Sequence, residues 1–193
     1  TKNRSAAIAL AKSSLQSEES RVRAAAVRRL ALLRAQPQAQ AIEGLLDDFE
    51  PTVRVQATRA LVQLARGAKA IQKRLELEEH PHVRLELIVG LGNLKSTNAA
   101  PSLSALLAGD RKLPIDGVGS LDERTVVADA LIQLERSEPV GPLVAALPGA
   151  PPQTSARFAH ALRILTNQDF RTSEEWENWF ESEGKKSARK EWL

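Results

Sequence analysis

The chain has 193 residues, of which 42% are hydrophobic, enough apolar material for a continuous core. Its 27 basic and 24 acidic residues leave a net charge of +3, too small to mark a nucleic-acid protein, although Thr1 to Arg34 carries eight cations against Glu18 and Glu19. The absence of cysteine excludes disulfides and cysteine-based zinc sites, and no apolar run reaches the roughly 18 residues that a membrane helix needs.

With no methionine anywhere, Thr1 is not an initiator. A removed export signal, a truncation or a longer parent chain would each produce this start, so an exported and a cytoplasmic location are both compatible with it.

In chain order, a short amphipathic segment alternates with a longer one. "AAIALAKSSLQ" precedes "VRAAAVRRLALL" from Val22; "AQAIEGLLDDF" precedes "VRVQATRALVQL" from Val53; "AIQKRLELEE" precedes "VRLELIVGLGNL" from Val83. "AAPSLSALLAG" and a Gly- and Pro-punctuated stretch, "GDRKLPIDGVGSLD", come before "ERTVVADALIQL" from Glu123, and "VGPLVAALPG" comes before "TSARFAHALRIL" from Thr154. The longer segments start 31, 30, 40 and 31 residues apart. A period of that size with helical spacing predicts stacked helix-turn-helix units, because one unit cannot bury its own apolar face. Val53, Ala57, Ala60, Leu61 and Leu64 recur at three- and four-residue steps, which puts them on one helical face. Pro51 suits the first turn of that helix and Gly67 suits its exit. By the same register Leu30, Leu61, Leu91 and Leu131 should be buried between neighbouring units.

The shared pattern Val-Arg-x-x-Ala-x-x-x-Leu-x-x-Leu, with Arg23, Arg54, Arg84 and Arg124 in register, resembles the HEAT repeat, in particular the short bacterial type called phycobilisome-lyase-like, over about residues 5 to 165. The resemblance implies an all-α solenoid of about five helical pairs. It also implies that each arginine braces against an acid at the end of the preceding helix, where Asp47, Asp48, Glu78 and Glu79 stand. The fifth unit has Ser155 in place of the arginine, as a terminal repeat would. After the array, "LTNQDFRTSEEWENWF" resembles a segment that follows such repeats in some bacterial HEAT proteins, an Asp-Phe pair before a Trp-x-x-Trp helix. Thr172 and Glu175 have capping-box spacing, and Trp176, Trp179 and Phe180 then share one face, suited to closing the end of the array. Trp192, near the end of the chain, is expected to stand apart from this cover. The domain reading is an array over 1–170 with an inserted loop at about 109–122, then a capping helix and tail over 171–193.

Chemistry is sparse. The chain has three histidines and lacks both a Ser-centred glycine elbow and a phosphate-cradling glycine loop. His80 and His82 flank Pro81 at a helix start, where they read as turn residues. The His-Glu pairs with which some HEAT-like enzymes bind iron do not occur. Asp110, Asp116 and Asp122 lack the order of a calcium loop. The expectation is therefore a non-catalytic chain with no metal and no cofactor. What remains is surface: in the resembling fold the second helices line a concave face. One outward register position reads Arg28, Arg59, Val89, Asp129 and His160; another reads Ala24, Val55, Leu85, Thr125 and Ala156. A basic half beside an apolar middle predicts a protein partner with an acidic segment, bound through that face or the inserted loop, as a scaffold or as a subunit of a larger assembly. The competing reading is nucleic acid in the basic half. It ranks second because Phe158 is the one aromatic in the five aligned rows.

Overall fold

The computed structural model describes residues 2–115, 119–136 and 138–185, in two compact units, Thr1–Leu94 and Lys95–Leu193. The first unit contains α1 (Lys2–Ser14), α2 (Ser20–Leu32), α3 (Ala39–Glu43), α4 (Pro51–Gln63), α5 (Ala68–Leu77) and α6 (Pro81–Asn93). Short 3-10 turns flank α3, at Gln36–Gln38 and Gly44–Asp47. The longer helices stack side by side, α2 on α4 and α4 on α6, while α1 lies on α2 and α5 on α6. Their apolar stripes fill the space between: Val53, Ala57, Ala60, Leu61 and Leu64 are each at most 2% exposed. Leu30, Leu91 and, in the second unit, Leu131 are also fully buried.

Each longer helix stops in the same way. Arg34, Ala65, Lys95 and Glu135 have positive φ, between 47° and 54°, at one register position, and Asn167, one residue further along its row, has φ 55°. The left-handed residue turns the chain back so that the next amide reaches the helix, as Ala35 N donates to Leu30 O (3.0 Å) and Arg66 N to Leu61 O (2.9 Å). Gly67 therefore does not end α4, as its spacing suggested. Ala65 does, and Gly67, at φ 76°, begins α5.

The second unit contains α7 (Ala100–Leu106), a hairpin of β1 (Lys112–Ile115) and β2 (Gly119–Asp122), α8 (Glu123–Gln133), α9 (Val140–Ala146), α10 (Pro152–Thr166) and α11 (Ser173–Trp179), which continues through a π turn at Phe180–Gly184. Helix α8 lies on α7 and α10, α9 on α10, and α11 on α9. The insertion expected as a loop is thus partly strand, paired antiparallel as Lys112 with Asp122 and Leu113 with Leu121. Pro114 argues against a central strand, but a two-stranded hairpin has two free edges on which a missing N–H costs nothing. Leu113, 3% exposed, anchors it. Among the described residues no helix is long and apolar enough to cross a membrane.

Candidate protein interface

The arginines of α2 and α4 are braces with two ends. Arg54 Nη1 donates backward to the carbonyls of Asp48 (2.8 Å) and Phe49 (3.1 Å), while Nε and Nη2 donate forward to both oxygens of Glu78 (2.7 and 2.9 Å). Arg23 repeats this one unit earlier, with Ser17 O and Glu18 O behind it (both 2.9 Å) and the Asp48 carboxylate ahead (2.7 and 2.8 Å). Each acid therefore belongs to the unit after its arginine, not before it; the preceding turn contributes carbonyls. Arg84 reaches back to Leu75 O (3.2 Å) and Glu78 O (2.6 Å). Burial pushes the Asp48 and Glu78 carboxyls up, but hydrogen bonds from their arginines and from the backbone amides of Glu50 and His80 outweigh it and hold both below the ordinary range.

Arg124 is braced differently. The turn after α9, "LPGAPP", contains no acid, and Arg124 pairs with Asp122 at the cap of its own helix (2.9 and 2.6 Å). Asp122 also accepts from Lys112 Nζ (2.7 Å), Thr154 Oγ1 (3.0 Å) and the Arg124 amide (3.1 Å). It thereby ties the hairpin, α8 and α10 together. Although burial opposes it, this set of donors, led by Arg124, holds the carboxyl far below the usual range.

On α2, α4 and α6 the outward register positions form a row. Arg28, Arg59 and Val89 are exposed, with Val55 and Leu85 half-buried beside them. An open cleft of about 580 Å³ between α2 and α4 is lined by Arg21, Ala24, Arg28, Glu50, Thr52 and Gln56, and a smaller one of about 180 Å³ between α4 and α6 by Arg59, Val62, Glu86 and Val89. Gly90 lets α6 approach α4, since a Cβ there would lie 3.1 Å from Val62 Cγ2. Arg59 is not a free cation: it forms an ion pair with Glu86, a residue the register reading passed over. That leaves Arg28 and Arg21, for which no ion pair forms among the described residues, as the cations of the row. In the second unit Asp129 is bound by Arg157 at 2.8 Å, and His160 is exposed on α10.

In the tail, the Thr172 hydroxyl accepts from the Glu175 amide (3.1 Å), and the Glu175 carboxylate accepts from the amides of Thr172 (3.1 Å) and Arg171 (2.7 Å), starting α11. Trp176 is 1% exposed and lies edge-on to Phe170 (4.9 Å between centroids) and to Trp179 (5.9 Å). Trp179 and Phe180 are half-buried. Phe180 lies over Gly141 of α9, where a Cβ would come within 3.0 Å of the ring. The Trp176 indole N–H is buried without a hydrogen-bond partner. Trp192 and Asp116, named from the sequence, lie outside the described residues. The His80 and His82 rings are 5.9 Å apart, and no group of three or more metal-ligating side chains occurs among the described residues.

No family model matches the chain, and no curated protein does. Among solved structures it is similar to a chain of the complex of CpcE and CpcF of phycocyanin lyase from Nostoc sp. PCC7120, with a TM-score of 0.68 and 23% identity, over 83% of this chain and 65% of that one. The chain thus spans about two thirds of the length of the protein it matches. This corrects the expectation of a non-catalytic chain, because the fold occurs in a lyase. Motifs reveal chemistry that is contiguous in sequence, whereas a repeat array brings together side chains some thirty residues apart, so a missing motif does not separate binding module from enzyme. The neighbour is a complex of two proteins. Helix order, repeat register and this likeness together make the chain a HEAT-type α-solenoid, of the kind seen in the phycocyanin lyase complex.

Proposed function

We propose that the chain is a protein-binding subunit of a larger assembly, enzyme complexes included, which holds its partner on the row formed by α2, α4 and α6. The observation that carries this is the exposed Val89, with Val55 and Leu85 half-buried in the same row and Arg28 free of ion pairs among the described residues. Apolar side chains left on an outward face between well-packed helices suit a partner's apolar anchors, and the neighbouring cations suit acidic residues at its rim. The neutralisation of Arg59 by Glu86 removes one of the converging cations that duplex DNA would need, which favours protein over nucleic acid. Asp129 and His160 extend the candidate set in the second unit. We read the array over 1–170 as the binding body and 171–193 as its cover.

The test is recovery of a partner from the native source by the parent chain and by a variant combining Arg28→Glu with Val89→Asp. A single protein held by the parent and lost by the variant supports the reading. Equal recovery by both would place the interface elsewhere. Tight binding of unrelated duplexes with a steep salt slope would favour nucleic acid instead.

A further inference from the structure

Phe49 is 74% exposed, in the turn between α3 and α4. One face of its ring rests on the Arg23 guanidinium, 4.7 Å from the centroid. A structural reading would make the ring a lid that keeps the Arg23–Asp48 pair dry. The repeat supplies the comparison that decides against this. One unit later the equivalent pair, Arg54–Glu78, is as closed to solvent, with side chains 9% and 1% exposed against 7% and 5%. The residue in the place of Phe49 there is Glu79, which is exposed. There Arg74 stands against the Glu78 carboxylate (2.9 Å) instead, so the cover need not be aromatic, and the outer face of the Phe49 ring is left in solvent.

The surroundings indicate what would bind it. Because Arg23 holds Ser17 O, Glu18 O and the Asp48 carboxylate at once, the turn at 17–19 lies directly beside the turn at 47–50. These turns present Glu18, Glu19, Asp47 and Glu50, with the Asp47 side chain 75% exposed. Of the cations nearby, Arg74 is mostly buried and is engaged by Glu78 and Asp47, Arg23 lies under the ring, and Arg21 shares the cleft between α2 and α4 with Glu50. An open aromatic face beside turns that carry these carboxylates attracts a cation through the ring quadrupole and through charge together.

We infer that this edge of the first unit is a second docking point, in which Phe49 receives an arginine or lysine from a basic segment of a partner protein. It lies at the turns, beside the outward row of α2, α4 and α6, and it takes a partner segment of the opposite charge.

The probe is a fluorescein-labelled nonapeptide of alternating arginine and glycine, titrated by anisotropy against the full chain at two salt concentrations. Phe49→Gln, a polar side chain of the kind the next unit carries at this position, should weaken binding about tenfold. Phe49→Leu, which keeps an apolar cover over Arg23, should weaken it similarly and serves if the first variant folds poorly. Glu18→Gln with Asp47→Asn should flatten the salt dependence. Unchanged binding by both Phe49 variants, or an arginine peptide held no better than a glycine-serine one, would overturn the proposal. So would a concentration-dependent dimer that Phe49→Gln abolishes, since the occupant would then be a second copy.

Discussion

Arg54 of one repeat and Glu78 of the next meet through two parallel hydrogen bonds, 2.7 and 2.9 Å long, in a site nearly closed to water. Two buried charges in that geometry satisfy each other, and removing either leaves the other stranded. Glu78→Ala should therefore cost about 3–5 kcal/mol in denaturant unfolding. Because Glu78 also holds Arg74, at 2.9 Å, the double variant with Arg54→Met should recover part of the loss. A single variant as stable as the parent would show that the brace contributes nothing.

The same pairs set an acid limit. Asp48 and Glu78 have folded-state values below their unfolded ones, so the unfolded chain binds more protons and their contribution is complete above the unfolded carboxylate range, roughly pH 4. It is lost as pH falls below that range through the lowered folded values. Stability followed by circular dichroism should drop between about pH 4 and 2, and Glu78→Gln should flatten that slope. An unchanged slope would shift the acid sensitivity to other groups.

The left-handed cap at Ala65 predicts a gain. A side chain at φ 51° is strained, Ala65 is exposed, and nothing is lost by removing its Cβ. Ala65→Gly should raise stability by about 0.5–1 kcal/mol. Gly67→Ala should do the reverse, since its φ is 76° and a Cβ would meet Leu61 Cδ1 at 2.9 Å. Melting temperatures of the two variants should move in opposite directions.

In the tail, Trp176→Ala should cost about 3–5 kcal/mol, and Trp179→Ala less, because Trp179 is only half-buried. Trp176→Phe should cost much less than the alanine change: it keeps most of the ring contacts and removes an indole N–H that is buried without a partner. Urea unfolding read by circular dichroism would order the three, and equal losses from Phe and Ala would mean that the N–H is satisfied.

The helical period was readable because the stripe residues, such as Val53, Ala57 and Leu61, obey a local spacing that packing only completes. Several features were not. A left-handed residue announces itself when it is glycine, and here the five positions hold Arg, Ala, Lys, Glu and Asn, so Gly67 drew attention that belonged to Ala65. The direction of the Arg23 and Arg54 braces depends on which turn comes alongside, which spacing does not encode. The Glu86 partner of Arg59 lies 27 residues away on the neighbouring helix, and only the stacking of α4 on α6 brings it into reach.

Asp122 and Arg124 close their ion pair two residues apart, so the brace of α8 does not depend on the length of the segment before it. Arg23 and Arg54 rely on carboxylates about 25 residues away, and lengthening the connection there would pull the acid off its cation. The hairpin is thus a natural site for grafting foreign peptides between its two strands: an insertion there leaves the Asp122 carboxylate, its guanidinium, Thr154, Lys112 and the buried Leu113 in place.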